Sequence, residues 1–144
     1  MRKWIAGLAV VAVLAGGIAA FILTRPSEAE PRPDHLTVTQ IGMLPSAQAK
    51  RPLHAEITDP KVVGAIYDSL LSLPPPPTGP IACPADAGPT YRLLFLRGSA
   101  QVLRADAESA GCRFVRLSTG KTVWALSEGG THFLALLRQA LHFS

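Results

Sequence analysis

Beyond residue 34 the apolar positions fall into short blocks whose period switches between two and about 3.6. "HLTVTQIGM" (35–43) and "PLHAEITD" (52–59) alternate; in the second, Leu53, Ala55 and Ile57 share one face and His54, Glu56 and Thr58 the other, as in half-buried strands. "DPKVVGAIYDSLLSL" (59–73) has helical spacing, with Val63, Ile66, Tyr67, Leu70 and Leu73 along one stripe. Asp59 can cap this helix, Pro60 suits its first position, and Pro74 stops it. Four strand-like blocks follow, "TYRLLFLRG" (90–98), "AQVLRAD" (100–106), "CRFVRLS" (112–118) and "TVWAL" (122–126), joined by turn-forming "RGSA", "AESAG" and "TGK". The first of these is apolar on both faces, with Tyr91, Leu93 and Phe95 opposite Leu94 and Leu96, which marks a central strand. "SEGGTHFLALLRQALHF" (127–143) closes the chain as a helix burying Phe133, Leu134, Leu137, Ala140 and Leu141.

These blocks predict an α+β domain of order β-β-α-β-β-β-β-α. Its sheet is an antiparallel meander, and two helices pack on one face of it. The domain occupies 36–144, behind a proline-rich tether at 26–35 and a first segment at 1–25 of different character.

In that first segment Trp4 to Leu23 carries no charged side chain. A helix of 20 residues spans roughly 30 Å, the thickness of a bilayer's hydrocarbon core. Arg2 and Lys3 precede it, which places the N-terminus in the cytoplasm and the domain outside, on a single-pass anchor. The run is longer than the apolar region of a cleavable signal peptide. The alternative is secretion after cleavage near residue 29, where "SEA" (27–29) supplies small residues in the right spacing.

An extracytoplasmic domain changes how its two cysteines read. Cys83 and Cys112 are an even pair in an oxidising compartment, so a disulfide is expected. Cys83 lies in "LPPPPTGPIACP" (73–84), with six prolines in twelve residues. That stretch is a stiff crossover out of the first helix. With "PADAGP" it forms a candidate interaction loop, represented by Pro74, Pro77, Pro84 and Asp86.

The segments "ITDPKVVGAIYDSLLSLP", "CPADAGPTYRLLFLRG" and "ESAGC" together resemble a set of small, uncharacterised exported bacterial proteins. These share a D-P…V…Y…L…L-P helix, a C-P-x-D-x-G-x-x-Y-x-L-x-F strand entry and a later G-C. The resemblance covers roughly residues 55–140. More distantly, the helix opening is similar to that of small extracytoplasmic domains of Gram-positive lipoproteins. The resemblance implies export, the disulfide and the fold, and brings no activity.

Motifs for chemistry are sparse. "STGKT" (118–122) looks like the end of a phosphate-binding loop, but Val115 stands where the signature needs glycine and the segment joins two strands. It reads as a hairpin turn. His35, His54, His132 and His142 include no i, i+4 pair and lie far from both cysteines, so no metal or cofactor is called for. No G-x-S-x-G elbow is present. Asp86, Asp106 and Glu108 are the carboxylates available for a hydrolytic pair, with no motif requiring one.

Charge offers one further surface. Residues 31–144 hold 11 Lys and Arg against 8 Asp and Glu. Arg92, Arg104, Arg113 and Arg116 fall in predicted strands, and a shared face would form a basic patch for an envelope protein or an anionic surface. Compartment and modest charge disfavour nucleic acid. The sequence therefore reads as a non-enzymatic extracytoplasmic domain, tethered or secreted, that binds or modulates an envelope component. A secreted inhibitor of an extracellular enzyme is the alternative, and a small hydrolase follows behind.

Overall fold

The computed structural model describes residues 31–42, 53–85 and 88–142. The apolar segment before residue 25 and Asp86 lie outside the described residues. Among the described residues no helix is long and apolar enough to cross a membrane.

The elements run β1 (His35–Gly42), β2 (His54–Ile57), α1 (Pro60–Leu71), β3 (Thr90–Arg97), β4 (Ala100–Glu108), β5 (Phe114–Leu117), β6 (Thr122–Trp124) and α2 (Glu128–His142). The expected α+β class and element order are present. All six strands join one sheet, ordered β2-β1-β3-β4-β5-β6, with every neighbour antiparallel. Strands β3 to β6 form the meander. The β1–β2 hairpin adds to it through β1, so β2, α1 and β3 make a crossover that straddles β1.

Each helix starts where its sequence says. Asp59 Oδ1 accepts the Lys61 amide at 2.9 Å, Pro60 opens α1, and Val63 N–H donates to Asp59 O at 2.9 Å. Ser127 Oγ accepts the Gly130 amide at 3.2 Å and so caps α2. At Gly130 the helix passes so close to the backbone of Ala125 that a Cβ would overlap it, which leaves glycine as the residue that fits.

Parity places the core. Leu36, Val38, Ala55, Ile57, Leu93, Phe95, Leu103, Ala105, Ala107 and Val115 are buried on one face of the sheet. Val63, Ile66 and Leu70 of α1 and Phe133, Leu134 and Leu137 of α2 complete the same cluster. Tyr67 meets Phe95 edge-on, with ring centroids 5.3 Å apart, a geometry that adds to the area the rings bury.

Cys83 and Cys112 form the expected disulfide, with Cα atoms 4.8 Å apart, within the usual span for such a bridge. It ties the proline segment to the loop between β4 and β5.

Two expectations shift. Residues 112 and 113 do not belong to β5, because Gly111 and Arg113 turn the chain with φ of 65° and 53°. Nor is the end of the predicted tether separate from the fold. Pro33 is buried, Arg32 pairs with Asp68 of α1 at 2.6 Å, and Asp34 Oδ1 accepts the Gly98 amide at 3.1 Å. The compact unit begins at Pro31.

Candidate functional site

Among the described residues no helix covers the second face of the sheet. Cross-strand register lays its side chains in rows. The central row crosses all six strands: His54, Thr39, Arg92, Asp106, Arg116 and Thr122. Beside it, toward the β4–β5 turn, Thr90, Glu108, Phe114 and Trp124 lie in line. On the other side lie Glu56, Thr37, Leu94 and Arg104.

The charges on this face are largely matched. Arg92 grips Asp106 with two parallel bonds, Nε to Oδ1 at 2.8 Å and a terminal nitrogen to Oδ2 at 3.0 Å. Arg116 reaches Glu108 at 2.9 Å. The other oxygen of Glu108 accepts the Phe114 amide at 3.1 Å, so one carboxylate braces both β5 and its arginine. The hydrogen bond from Arg92 holds the Asp106 carboxyl below its ordinary range; partial burial opposes this, and the charges of Arg92, Arg104 and Arg116 assist it. The same bond raises Arg92. Among the described residues Arg104 has no carboxylate within ion-pair distance. At the β2 end, Thr39 Oγ1 and His54 Nδ1 are 3.2 Å apart, and His54 Nε2 lies 3.9 Å from Glu56.

Three of the four arginines of the expected basic face, Arg92, Arg104 and Arg116, therefore do share it. Arg113 does not; it sits in the β4–β5 turn, half-buried, and its carbonyl accepts the Ala125 amide at 3.0 Å. Sequence reasoning missed Asp106 and Glu108 as the partners that neutralise the face. It also missed the Phe114–Trp124 pair, whose indole N–H donates to Cys112 O at 3.1 Å. The signal was available: apolar residues occupy odd positions in both β3 and β4, which opposes Arg92 to an even, outward-facing position of β4.

The candidate loop is anchored at three points. Trp124 N–H donates to Pro74 O at 2.8 Å, the disulfide holds Cys83, and both the amide and hydroxyl of Ser109 donate to Pro89 O, at 3.1 and 2.7 Å. Pro74, Pro77 and Pro84 are exposed along it. "STGKT" is a hairpin turn, with Gly120 at φ 84° and its amide bonded to Leu117 O.

A third feature is a groove of about 670 Å³ on the helix side, beside β2. Ile57, Val62, Ala65, Leu136 and Ala140 give it an apolar floor, and Glu56, Asp59, Lys61 and Gln139 rim it. Among the described residues no cluster of His, Cys, Asp and Glu is placed to hold a metal. Compared with protein-family models, with curated proteins and with solved structures, the chain finds no match in any of the three.

Proposed function

We propose that this chain is a non-enzymatic extracytoplasmic binding domain, tethered by its N-terminal apolar segment or released from it, whose open sheet face meets a component of the cell envelope. The observation that carries the reading is the asymmetry of the sheet. One face is sealed by two helices, while the other presents ordered polar and aromatic side chains across six strands. Ion pairs hold Arg92 and Arg116 in place before any partner arrives, so little side-chain entropy is lost on binding. Arg104, flanked by Leu94 and Ser118, is the arginine left to pair with an anionic group outside the chain. Matched charge elsewhere on the face favours a partner of mixed character, polar with a few anionic groups, over a uniformly anionic sheet of lipid.

Residues 31–144 sedimented with the insoluble envelope fraction test this. Arg104→Ser combined with Leu94→Ser lowers the bound fraction severalfold, whereas Lys61→Ser combined with Arg138→Ser, on the helices, leaves it unchanged. Equal losses from both pairs reduce the effect to net charge and remove the face as the site.

The anchored proline segment supports the second reading, a secreted inhibitor that presents this loop to an extracellular enzyme. Three tethers on an exposed loop are the pre-organisation such inhibitors use. Inhibition of a protease or glycosidase panel that disappears with Pro77→Gly, while Arg104→Ser has no effect, would move the site from the face to the loop.

A further inference from the structure

The two edges of the sheet end differently. At β6 the outward Trp124 amide is taken by Pro74 O, so the proline segment closes that edge. At β2 the Gln40 amide donates to Leu53 O, which turns the main chain of residues 53, 55 and 57 toward β1 and that of His54 and Glu56 away from it. Among the described residues nothing pairs with those outward N–H and C=O groups. An unpaired edge of this kind is a template for another strand.

We propose that β2 pairs antiparallel with β2 of a second copy of this chain, about a two-fold axis at Ala55, joining the two sheets into one. The occupant follows from the sequence of the edge. An axis at Ala55 sets residue 54 opposite 56 and residue 53 opposite 57. On the open face each His54 then meets the other copy's Glu56, giving two oppositely charged cross-strand pairs when the imidazole is protonated and two hydrogen-bonding pairs when it is not. On the helix side Leu53 meets Ile57, and the small Ala55 meets itself across the close, non-hydrogen-bonded position. Moving the axis by one residue either way, a register shift of two, opposes Glu56 to Glu56 or His54 to His54. Both faces of this four-residue edge are self-complementary in a single register. The apolar groove beside Ile57 lies along the same edge, so the helix side of the junction is open and its apolar floor continues toward the second copy. The symmetry is that of an isologous dimer. The pairing is independent of what the open face binds, and it doubles the width of that face.

The test is sedimentation equilibrium of the full chain in detergent solution over a wide concentration range. A concentration-dependent dimer is expected. His54→Glu, which opposes Glu to Glu twice, weakens it about tenfold; His54→Glu combined with Glu56→Lys restores it by exchanging the charges. Ala55→Cys cross-links to itself under mild oxidation, while His54→Cys does not. A chain that stays monomeric throughout, a dimer indifferent to His54→Glu, or equal cross-linking from positions 54 and 55 each overturns the proposal. Where His54→Glu alone lowers folded content, by circular dichroism, the charge-exchanged variant and the cross-linking contrast still decide.

Discussion

The two faces of the sheet are built from the same strands and stabilised by different physics. The helix side is apolar throughout: Leu93, Phe95, Phe133 and Ile66 are fully buried, and among the described residues no buried side chain is polar or charged. Its energy comes from area removed from water and from close packing. The open side carries Arg92, Asp106, Arg116 and Glu108 in partly solvated ion pairs. Such pairs contribute little stability and a good deal of order. One face holds the fold together, and the other is free to vary in its chemistry. The open-face residues are ordered by ion pairs that are partly solvated, and the proposed contact rests on that order.

The largest test of that division lies in the core. Phe133→Ala is expected to cost about 3–5 kcal/mol in urea unfolding, because a ring fully enclosed between α2 and the sheet leaves a cavity behind. Leu94→Ala, on the open face in the row beside the central one, is expected to cost well under half of that. Comparable losses at the two positions would mean that the open face is covered by something and that the contrast is wrong.

The disulfide comes next. Removing it with Cys83→Ala and Cys112→Ala together frees a 29-residue separation and is expected to cost about 3–4 kcal/mol on a chain-entropy account. Wild-type protein unfolded without reductant should show no reactive thiol. Two thiols per chain would remove one of the three anchors of the proline segment.

The smallest effect belongs to the open face itself. Asp106 has its carboxyl lowered from an ordinary value near 3.8. Its ion pair therefore contributes fully above that value, and the contribution is lost as pH falls through the lower folded value. With both partners partly solvated, the amount is below about 1 kcal/mol. Urea unfolding of wild type and Asp106→Asn should thus differ by this amount at pH 7 and converge in acid, as the pH falls through the lowered Asp106 value. A difference that persists in acid would assign Asp106 a packing role instead of an electrostatic one.

How much of this was legible can be followed residue by residue. Asp59, Pro60 and Pro74 delimit α1 through local rules that need no tertiary partner, and α1 forms where they say. Apolar parity likewise identified the inward positions of β2, while β3, apolar on both faces, left its buried side to the structure, which places Leu93 and Phe95 inward. The pairing of Arg92 with Asp106 is subtler. A two-residue turn at Gly98–Ser99 pairs Arg97 with Ala100, and unbroken counting from there would set Arg92 opposite Ala105. A bulge between Phe95 and Leu96 shifts the register by one and delivers Asp106. Parity demanded such a bulge, since odd positions are buried on both strands and a one-residue slip would have put Leu93 opposite a charge. Its location was not demanded. Arg113 was misplaced for a related reason: a positive φ at a non-glycine residue is imposed by the surrounding turn and leaves no local trace.

By itself, then, the sequence determined the order and type of the elements, the inward faces of β2 and the two helices, the ends of α1 and the pairing of its two cysteines. These depend on local dihedral preference, on period and on the arithmetic of two thiols. The tertiary structure alone decided that β1 inserts beside β3, that Glu108 braces β5, that Pro74 closes one edge of the sheet and that His54 and Glu56 turn outward at the other. Those outcomes depend on register and strand order, which are settled by contacts between residues far apart in the chain and only after the core has chosen which strands lie side by side.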